Sequence, residues 1–181
     1  MTQTLSPSTH IAFLRGLRQI RQLKTDPLPE AALDDILEVA RWTGSARNIQ
    51  PWDLIVIRDR VLLQALARVP DGRAPHLANA AVGIALVMGG NPEHLDWDTY
   101  DEGRMAERIM LAAAAHDIGS AIGWFKGQAA EEAKQLLGVP PERLLRTTMS
   151  LGFVDTEAYG QRARPPQPRK PLPELLHQER W

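Results

Sequence analysis

Three arginines stand three residues apart near the start of the chain, at Arg15, Arg18 and Arg21. The residue pattern predicts one helix over 10–24, on which side chains at this spacing share a broad face. A guanidinium donates two parallel hydrogen bonds to a phosphate, so this face is suited to a phosphorylated ligand. The same residues also fit a solvated basic face, and taken alone they favour that simpler interpretation.

A second group of polar residues lies in Gly44-Ser45-Ala46-Arg47-Asn48-Ile49-Gln50-Pro51-Trp52, which we predict to be a loop leading into a strand. Its small residues let backbone N–H groups approach a ligand closely. Asn48 and Gln50 offer both donors and acceptors, as the edge of a heteroaromatic ring requires. A helix-to-strand turn with Trp52 in the core explains the segment equally well.

The end of the chain is basic and rich in proline. From Asp155 onward we predict an extended arm, because closely spaced prolines disfavour folded elements. Its positive charges are Arg162, Arg164, Arg169, Lys170 and Arg180. Such an arm can be disordered, but it also carries apolar side chains, so we expect it to dock. These are Leu172, Leu175, Leu176 and Trp181.

Several function classes are disfavoured by composition. The net charge is −1, from 21 basic and 22 acidic residues, so we expect neither nucleic acid nor a membrane as partner. The absence of cysteine excludes disulfides, cysteine nucleophiles and thiolate metal sites. The five histidines are scattered without metal-ligand spacing, and no GxGxxG, GxxxxGK[ST] or GxSxG motif is present. Any catalysis then needs a borrowed reactive group, and a cofactor is the simplest one.

The remaining pattern predicts a single α+β domain over 1–181, with 155–181 as its C-terminal arm. We expect helices from Pro29-Glu30 onward, from Asp59 to Val69, from Asp98 or Thr99 to about His116, and over 128–137. Buried strands are expected at 54–57 and 80–88, and two further strands at 120–125 and 144–154. No signal peptide is visible in 1–20, so we expect a cytoplasmic protein.

In this order, the segments resemble the nitroreductase family. The matching features are the arginine-rich start Leu17-Arg18-Gln19-Ile20-Arg21, the Asn48-Ile49-Gln50-Pro51-Trp52 loop, the alanine-rich helix 105–119, and the terminal Arg169-Lys170-Pro171-Leu172. Three positions depart from the family pattern. Leu17 stands where the family has its first arginine, Gln19 where it has serine, and Gly44 where it has proline.

The resemblance implies a nitroreductase-like α+β fold, with a central, mostly antiparallel sheet flanked by helices, and a homodimer that holds FMN at its interface. Matched positions imply that Arg18, Gln19 and Arg21 meet the phosphate and ribityl chain, and that Arg169 closes on the phosphate. They imply further flavin contacts from the loop and from one strand end. These residues are Ser45, Asn48 and Gln50, partly from the neighbouring subunit, and Ala121, Ile122, Gly123 and Trp124.

The implied activity transfers hydride from NADH or NADPH through flavin N5 to a small acceptor such as a nitroaromatic or a quinone. No protein residue is assigned as catalytic, since the flavin carries the chemistry. Two alternatives remain open at this point. One is an FMN-binding sensor or carrier without turnover, and the other is a helical interaction module whose arginines face solvent.

Overall fold

The structure is a computed structural model, and it describes residues 6–163 and 168–181. The helices in these residues are α1 (Pro7–Gly16), α2 (Glu30–Arg41), α3 (Arg60–Ala67), α4 (Leu95–Ala115), α5 (Gln128–Leu137) and α6 (Thr156–Gln161). The strands are β1 (Trp52–Ile57), β2 (Val82–Met88), β3 (Ile118–Trp124) and β4 (Leu144–Phe153). The elements are therefore mixed, as an α+β fold requires.

The four strands form one sheet in the order β1-β2-β4-β3, and all three pairings are antiparallel. Every residue of β2 is buried, which explains its continuous apolar sequence, because helices cover both faces of the sheet. One core cluster joins the sheet to α2 and α4 and contains Ile36 and Met105. The other joins it to α3 and α5 and contains Leu66. The expected α+β fold with a mostly antiparallel sheet is confirmed.

The first helix is shorter than predicted. It ends at Gly16, and Leu17 already has extended dihedral angles (φ −56°, ψ 131°). Backbone partners from distant strands hold the next residues extended: the Ile20 N–H donates to the Ser120 carbonyl, and the Lys24 N–H donates to the Phe153 carbonyl, each at 2.8 Å. The prediction of a helix over 10–24 is therefore wrong beyond residue 16, because tertiary hydrogen bonds outweigh the local helical pattern.

Three other predictions about elements need correction. The arm does not begin directly at Asp155, because the Asp155 side chain accepts from the Ala158 N–H at 3.0 Å and caps helix α6. Helix α4 begins at Leu95 rather than near Asp98, which is buried inside the helix. Strand β1 is an edge strand and most of its residues are only partly buried, so its apolar run does not mark a central strand.

The described part of the arm, 168–181, is exposed throughout in the single chain. The expected docking of its apolar side chains is not seen within one chain, where Trp181 is fully exposed. Arg164 lies outside the described residues. None of the helices in the described residues combines the length and the apolar character that crossing a bilayer requires.

Candidate functional site

The extended segment after α1 brings polar side chains to the free edge of β3. The Gln19 side-chain oxygen accepts a hydrogen bond from the Ile122 N–H at 3.3 Å and another from Arg21 Nη2 at 2.9 Å. Gln19 is thereby positioned across the strand edge by two donors. Gln19 reaches this edge from a segment whose backbone is already extended at Leu17.

The backbone groups along the edge of β3 have different hydrogen-bond partners at its two ends and in its middle. Ser120 pairs with the backbone of Ile20, and Trp124 exchanges backbone hydrogen bonds with Arg73 at 2.8 and 3.3 Å. Between them, Ile122 is satisfied by side chains alone, since its N–H bonds to Gln19 and its carbonyl lies 3.2 Å from His76 Nε2. The middle of this edge is therefore not covered by another strand.

A cavity of about 580 Å³ opens beside this edge, and we call it the arginine cavity. It collects four of the predicted cofactor-binding residues, from both ends of the chain. These are Arg18, Gln19, Ile122 and Arg169. Its other lining residues are Leu14, Arg15, Leu17, Glu107 and Met110.

The arginine cavity has an excess of positive charge. Arg15, Arg18 and Arg169 contribute three guanidinium groups against the single carboxylate of Glu107 in the lining. Within the described residues, no carboxylate lies within 4.0 Å of the guanidinium nitrogens of these arginines. Arg18 Nη1 donates instead to the carbonyls of Arg15 and Leu17, both at 2.7 Å. These cations are thus left to attract an anion, and a phosphate suits paired guanidinium donors best.

The loop predicted to line the same site lies elsewhere in the single chain. Ser45, Asn48 and Gln50 do not line the arginine cavity. The loop is tied to α4 instead, where Arg104 donates to the Gly44 carbonyl at 2.9 Å. Within the loop, the Gln50 N–H donates to Ser45 Oγ at 2.9 Å, and the Gln50 amide donates to the Asn48 carbonyl at 3.2 Å. Its geometry is therefore well defined although residues 46–50 are exposed.

This loop also holds an uncommon backbone conformation. Three of its non-glycine residues have positive φ, namely Arg47 (53°), Asn48 (57°) and Gln50 (52°). Left-handed conformations cost free energy for residues with a side chain. Observed strain of this kind often accompanies a binding function, and here it coincides with the polar loop predicted from sequence.

The residues predicted on β3 serve different purposes. Ala121 is fully buried, and a Cβ on Gly123 would lie 2.6 Å from the Cβ of Ala74. Gly123 is therefore required by internal packing. Trp124 is 40% exposed and lies outside the arginine cavity. Arg21 also lies outside the cavity lining, where it bonds to Gln19.

Sequence reasoning missed His76, which is buried behind the site. Its Nδ1 lies 2.7 Å from Ser150 Oγ and its Nε2 lies 3.2 Å from the Ile122 carbonyl. Burial lowers the pKa of His76 to about 4, and the positive charge of Arg21 acts in the same direction. The ring is thus neutral at pH 7, with Nε2–H donating to Ile122 and Nδ1 accepting from Ser150. No local pattern distinguishes this histidine from the other four.

Sequence reasoning also missed a buried acidic group on α4. Asp98, Asp101 and Glu102 are all at least 95% buried. Arg146 on β4 pairs with Glu102, and Arg104 pairs with Asp101 at 3.1 Å. Burial is the main cause that raises the pKa of Asp98. The sequence shows these acids on a helix but not that a strand residue neutralises one of them.

Comparison with known proteins identifies the family of this chain. The model of the nitroreductase family matches residues 14–153, which confirms the resemblance expected from the sequence. An NADH dehydrogenase of Thermus thermophilus is 29% identical, over 88% of this chain and 90% of that protein. An oxygen-insensitive NADPH nitroreductase of Salmonella typhimurium is 28% identical, over 82% of this chain and 66% of that protein.

A solved structure shares the fold at lower identity. The FMN-dependent nitroreductase of Clostridium difficile R20291 superposes with a TM-score of 0.79 and 22% identity, covering 94% of this chain and 99% of that one. At this identity the similarity establishes the fold alone.

Proposed function

Because the chain belongs to the nitroreductase family, we propose that it is an FMN-dependent NAD(P)H oxidoreductase whose arginine cavity receives the flavin phosphate. One observation carries the proposal. Arg18 and Arg169, from opposite ends of the chain, line one cavity together with Gln19. Neither guanidinium has a carboxylate within ion-pair distance in the described residues. Guanidinium groups that no carboxylate neutralises suit a phosphomonoester, which carries close to two negative charges.

The chain's own residues fit FMN at several points. Arg18 and Arg169 would hold the phosphate, with Arg15 adding positive charge beside them. Gln19 and the strand edge at Ile122 would face the ribityl chain and the ring, because this part of the edge is not covered by another strand. Bound FMN supplies hydride acceptance at N5 from NADH or NADPH and reduction of a small acceptor such as a nitroaromatic or a quinone.

The buried residues behind the edge would position this site. His76 and Ser150 form a fixed pair, and His76 donates to the Ile122 carbonyl. A neutral histidine at this place adds no charge beside the cavity, so the field there comes from the arginines. Arg21 would support Gln19 rather than touch the phosphate, because it lies outside the cavity lining.

A homodimer would complete the site. The loop with Ser45, Asn48 and Gln50 does not reach the arginine cavity of its own chain, so we propose that it contributes to the partner's cavity. Apolar side chains of α1 and of the arm need cover as well. They are Ile11, Phe13, Leu14, Leu172, Leu175, Leu176 and Trp181, all at least 40% exposed in the single chain. We propose that the molecule acts in the cytoplasm, where NADH and NADPH are supplied.

The experiment is purification followed by absorbance spectroscopy and kinetics. We expect a yellow protein that oxidises NADH or NADPH when a nitroaromatic or a quinone is supplied. A protein that binds FMN but accepts no hydride from either donor would favour a sensor or carrier. A protein that neither purifies with FMN nor binds added FMN would overturn the proposal and favour the interaction module.

A further inference from the structure

An exposed tryptophan lies two residues beyond Ile122 on the same strand. Side chains two apart in a strand lie on one face, about 7 Å apart. Ile122 lines the arginine cavity. Trp124 therefore lies next to this cavity, on the face of β3 that packs towards α4. Trp124 is 40% exposed although it belongs to a sheet strand. An aromatic surface of this size, next to the proposed flavin site, is suited to stacking against a planar molecule.

Cationic side chains stand on both sides of this indole. Arg73 and Trp124 exchange both backbone hydrogen bonds, at 2.8 and 3.3 Å. Directly paired residues of this kind place their side chains on the same face, and Arg73 and Trp124 line one cavity. On the other side, Arg146 Cζ lies 6.0 Å from the centroid of the Trp124 ring.

Two cavities share Trp124 and Lys126. One, of about 400 Å³, is lined by Asp71, Arg73, Trp124 and Lys126. The other, of about 440 Å³, continues from Lys126 towards Arg146. Trp124 and Lys126 thus border both cavities.

Ion pairing leaves part of this positive charge uncompensated. Lys134 is paired with Glu131 at 3.2 Å, and Arg146 is paired with Glu102. In the described part of the chain, Arg73 and Lys126 have no carboxylate within 4.0 Å. Asp71 is the remaining carboxylate in the lining of these cavities. Two cations beside an exposed aromatic ring therefore face one acid.

We propose that Trp124, Arg73 and Lys126 form the acceptor subsite, and that it selects planar aromatic acceptors that carry a carboxylate. The proposal rests on the proposed function, since it names the substrate class of that site. The indole would stack on the aromatic ring of the acceptor, while Arg73 and Lys126 would attract its carboxylate. A neutral acceptor of the same shape would stack equally well but would lose the charge attraction.

The test compares 4-nitrobenzoate with 4-nitrobenzamide, which have similar shape and differ in charge. For the flavin-loaded protein we expect kcat/KM to favour 4-nitrobenzoate. Exposed charge pairs contribute up to about 1 kcal/mol each, so replacing one cation should reduce the preference by up to about fivefold. The variants are Arg73→Gln and Lys126→Gln, and Lys126→Arg should retain the preference. Arg73 pairs with Trp124 through backbone atoms, so Arg73→Gln keeps those bonds.

A second readout does not depend on turnover. Calorimetric binding of benzoate and benzamide, which lack a reducible nitro group, should show the same preference for the anion and the same loss in the two variants. High salt should weaken the preference as well. Arg68→Gln is the matched control, because Arg68 is an exposed cation that lines neither cavity, and it should change nothing.

The outcomes separate the two proposals. Failure to bind FMN or to oxidise NAD(P)H would contradict the proposed function, whereas the calorimetric comparison would still test the subsite. Equal kcat/KM and equal binding for the charged and neutral compounds would overturn the subsite. A change in the preference for NADPH over NADH in Lys126→Gln, with no change towards 4-nitrobenzoate, would also overturn it and would assign the cations to a dinucleotide phosphate.

Discussion

At the scale of one residue, the guanidinium group of Arg169 is expected to decide how tightly the arginine cavity binds a phosphate. Arg169 reaches the cavity from a proline-flanked arm that is otherwise exposed. Ordering an extended arm costs conformational entropy, so the arm needs a partner that offsets this cost. A phosphate held by two charge-assisted hydrogen bonds would do so.

We predict that Arg169→Ala weakens FMN binding selectively. Losing a hydrogen bond to a charged group costs about 1.5–3 kcal/mol, which corresponds to roughly tenfold to somewhat over a hundredfold weaker binding. Riboflavin lacks the phosphate, so its binding should hardly change. Titration by flavin fluorescence with both ligands measures the difference.

Arg164 lies in the same arm and outside the matched Arg169-Lys170-Pro171-Leu172 motif, so Arg164→Ala should change the binding of neither ligand, but Arg164 lies outside the described residues. Arg180→Ala is the better control, because Arg180 is an exposed arm residue that does not line the cavity. Equal weakening of FMN and riboflavin by Arg169→Ala would show that the arm is only a structural clamp.

His76 makes stability depend on pH in a defined direction. Its pKa is lowered to about 4 in the folded state, so folding disfavours the charged ring. This contribution to stability is fully present above the unfolded pKa of about 6.5, is lost progressively as the pH falls towards the folded pKa of about 4, and does not change further below it. Between pH 7 and pH 5 the expected loss is about 2 kcal/mol.

Urea unfolding of the wild type and of His76→Gln at pH 7 and pH 5 checks this prediction. The variant has no titrating ring, so its stability should fall by about 2 kcal/mol less than that of the wild type between the two pH values. Parallel pH profiles for the two proteins would show that His76 is not the responsible group.

At the scale of secondary structure, α4 and the sheet are joined by a buried ion pair. Glu102 on α4 is 3% exposed and pairs with Arg146 on β4. Arg146 also donates to Thr99 Oγ1 at 2.9 Å and borders Trp124. The helix that flanks the arginine cavity is thereby tied to the strand next to β3.

We predict that Glu102→Ala destabilises the protein by about 3 kcal/mol, because it leaves the largely buried cation of Arg146 without its partner. The matched control is Glu30→Ala, since the pair of Glu30 with Arg58 has side chains that are 72% and 55% exposed. That exposed pair should contribute no more than about 1 kcal/mol. Chemical denaturation of both variants measures the two changes, and similar losses would contradict the assignment.

At the scale of the whole molecule, one chain leaves its proposed site incomplete. Residues 46–50 of the polar loop, the apolar side chains of α1 and the described part of the arm, 168–181, are exposed. Scattered exposed apolar residues are ordinary, but three segments with this property suggest a shared interface. A two-fold dimer would cover the same segments in both copies.

We predict a homodimer in solution and a dependence of FMN binding on it. Sedimentation velocity should give the mass of two chains, about twice 20.1 kDa. Asn48→Ala should weaken FMN binding without dissociating the dimer, because this side chain is exposed in the single chain and is proposed to reach the partner's cavity. A monomer that retains FMN would refute the dimeric site.

Much of the fold was predictable from local patterns. Helix α5 was expected over 128–137 and is Gln128–Leu137, and β2 was expected within 80–88 and is Val82–Met88. Periodicity of apolar residues and turn residues is sufficient for such elements, because they depend on neighbours in sequence. The family resemblance also pointed to Arg18, Gln19, Ile122 and Arg169, which the fold brings into one cavity.

The tertiary structure alone decided the rest of the site. The segment 17–24 has a helical pattern, yet its backbone hydrogen bonds go to Ser120 and Phe153, which no local signal reveals. His76 and Gln19 meet at Ile122 only because two distant segments reach the same strand edge. Outside segment 17–24, sequence patterns thus determined the types of most elements, and the motifs indicated the family. Hydrogen bonds between distant segments determined which polar groups face the cavity, because the backbone groups at a strand edge must be satisfied by whatever the fold brings to them.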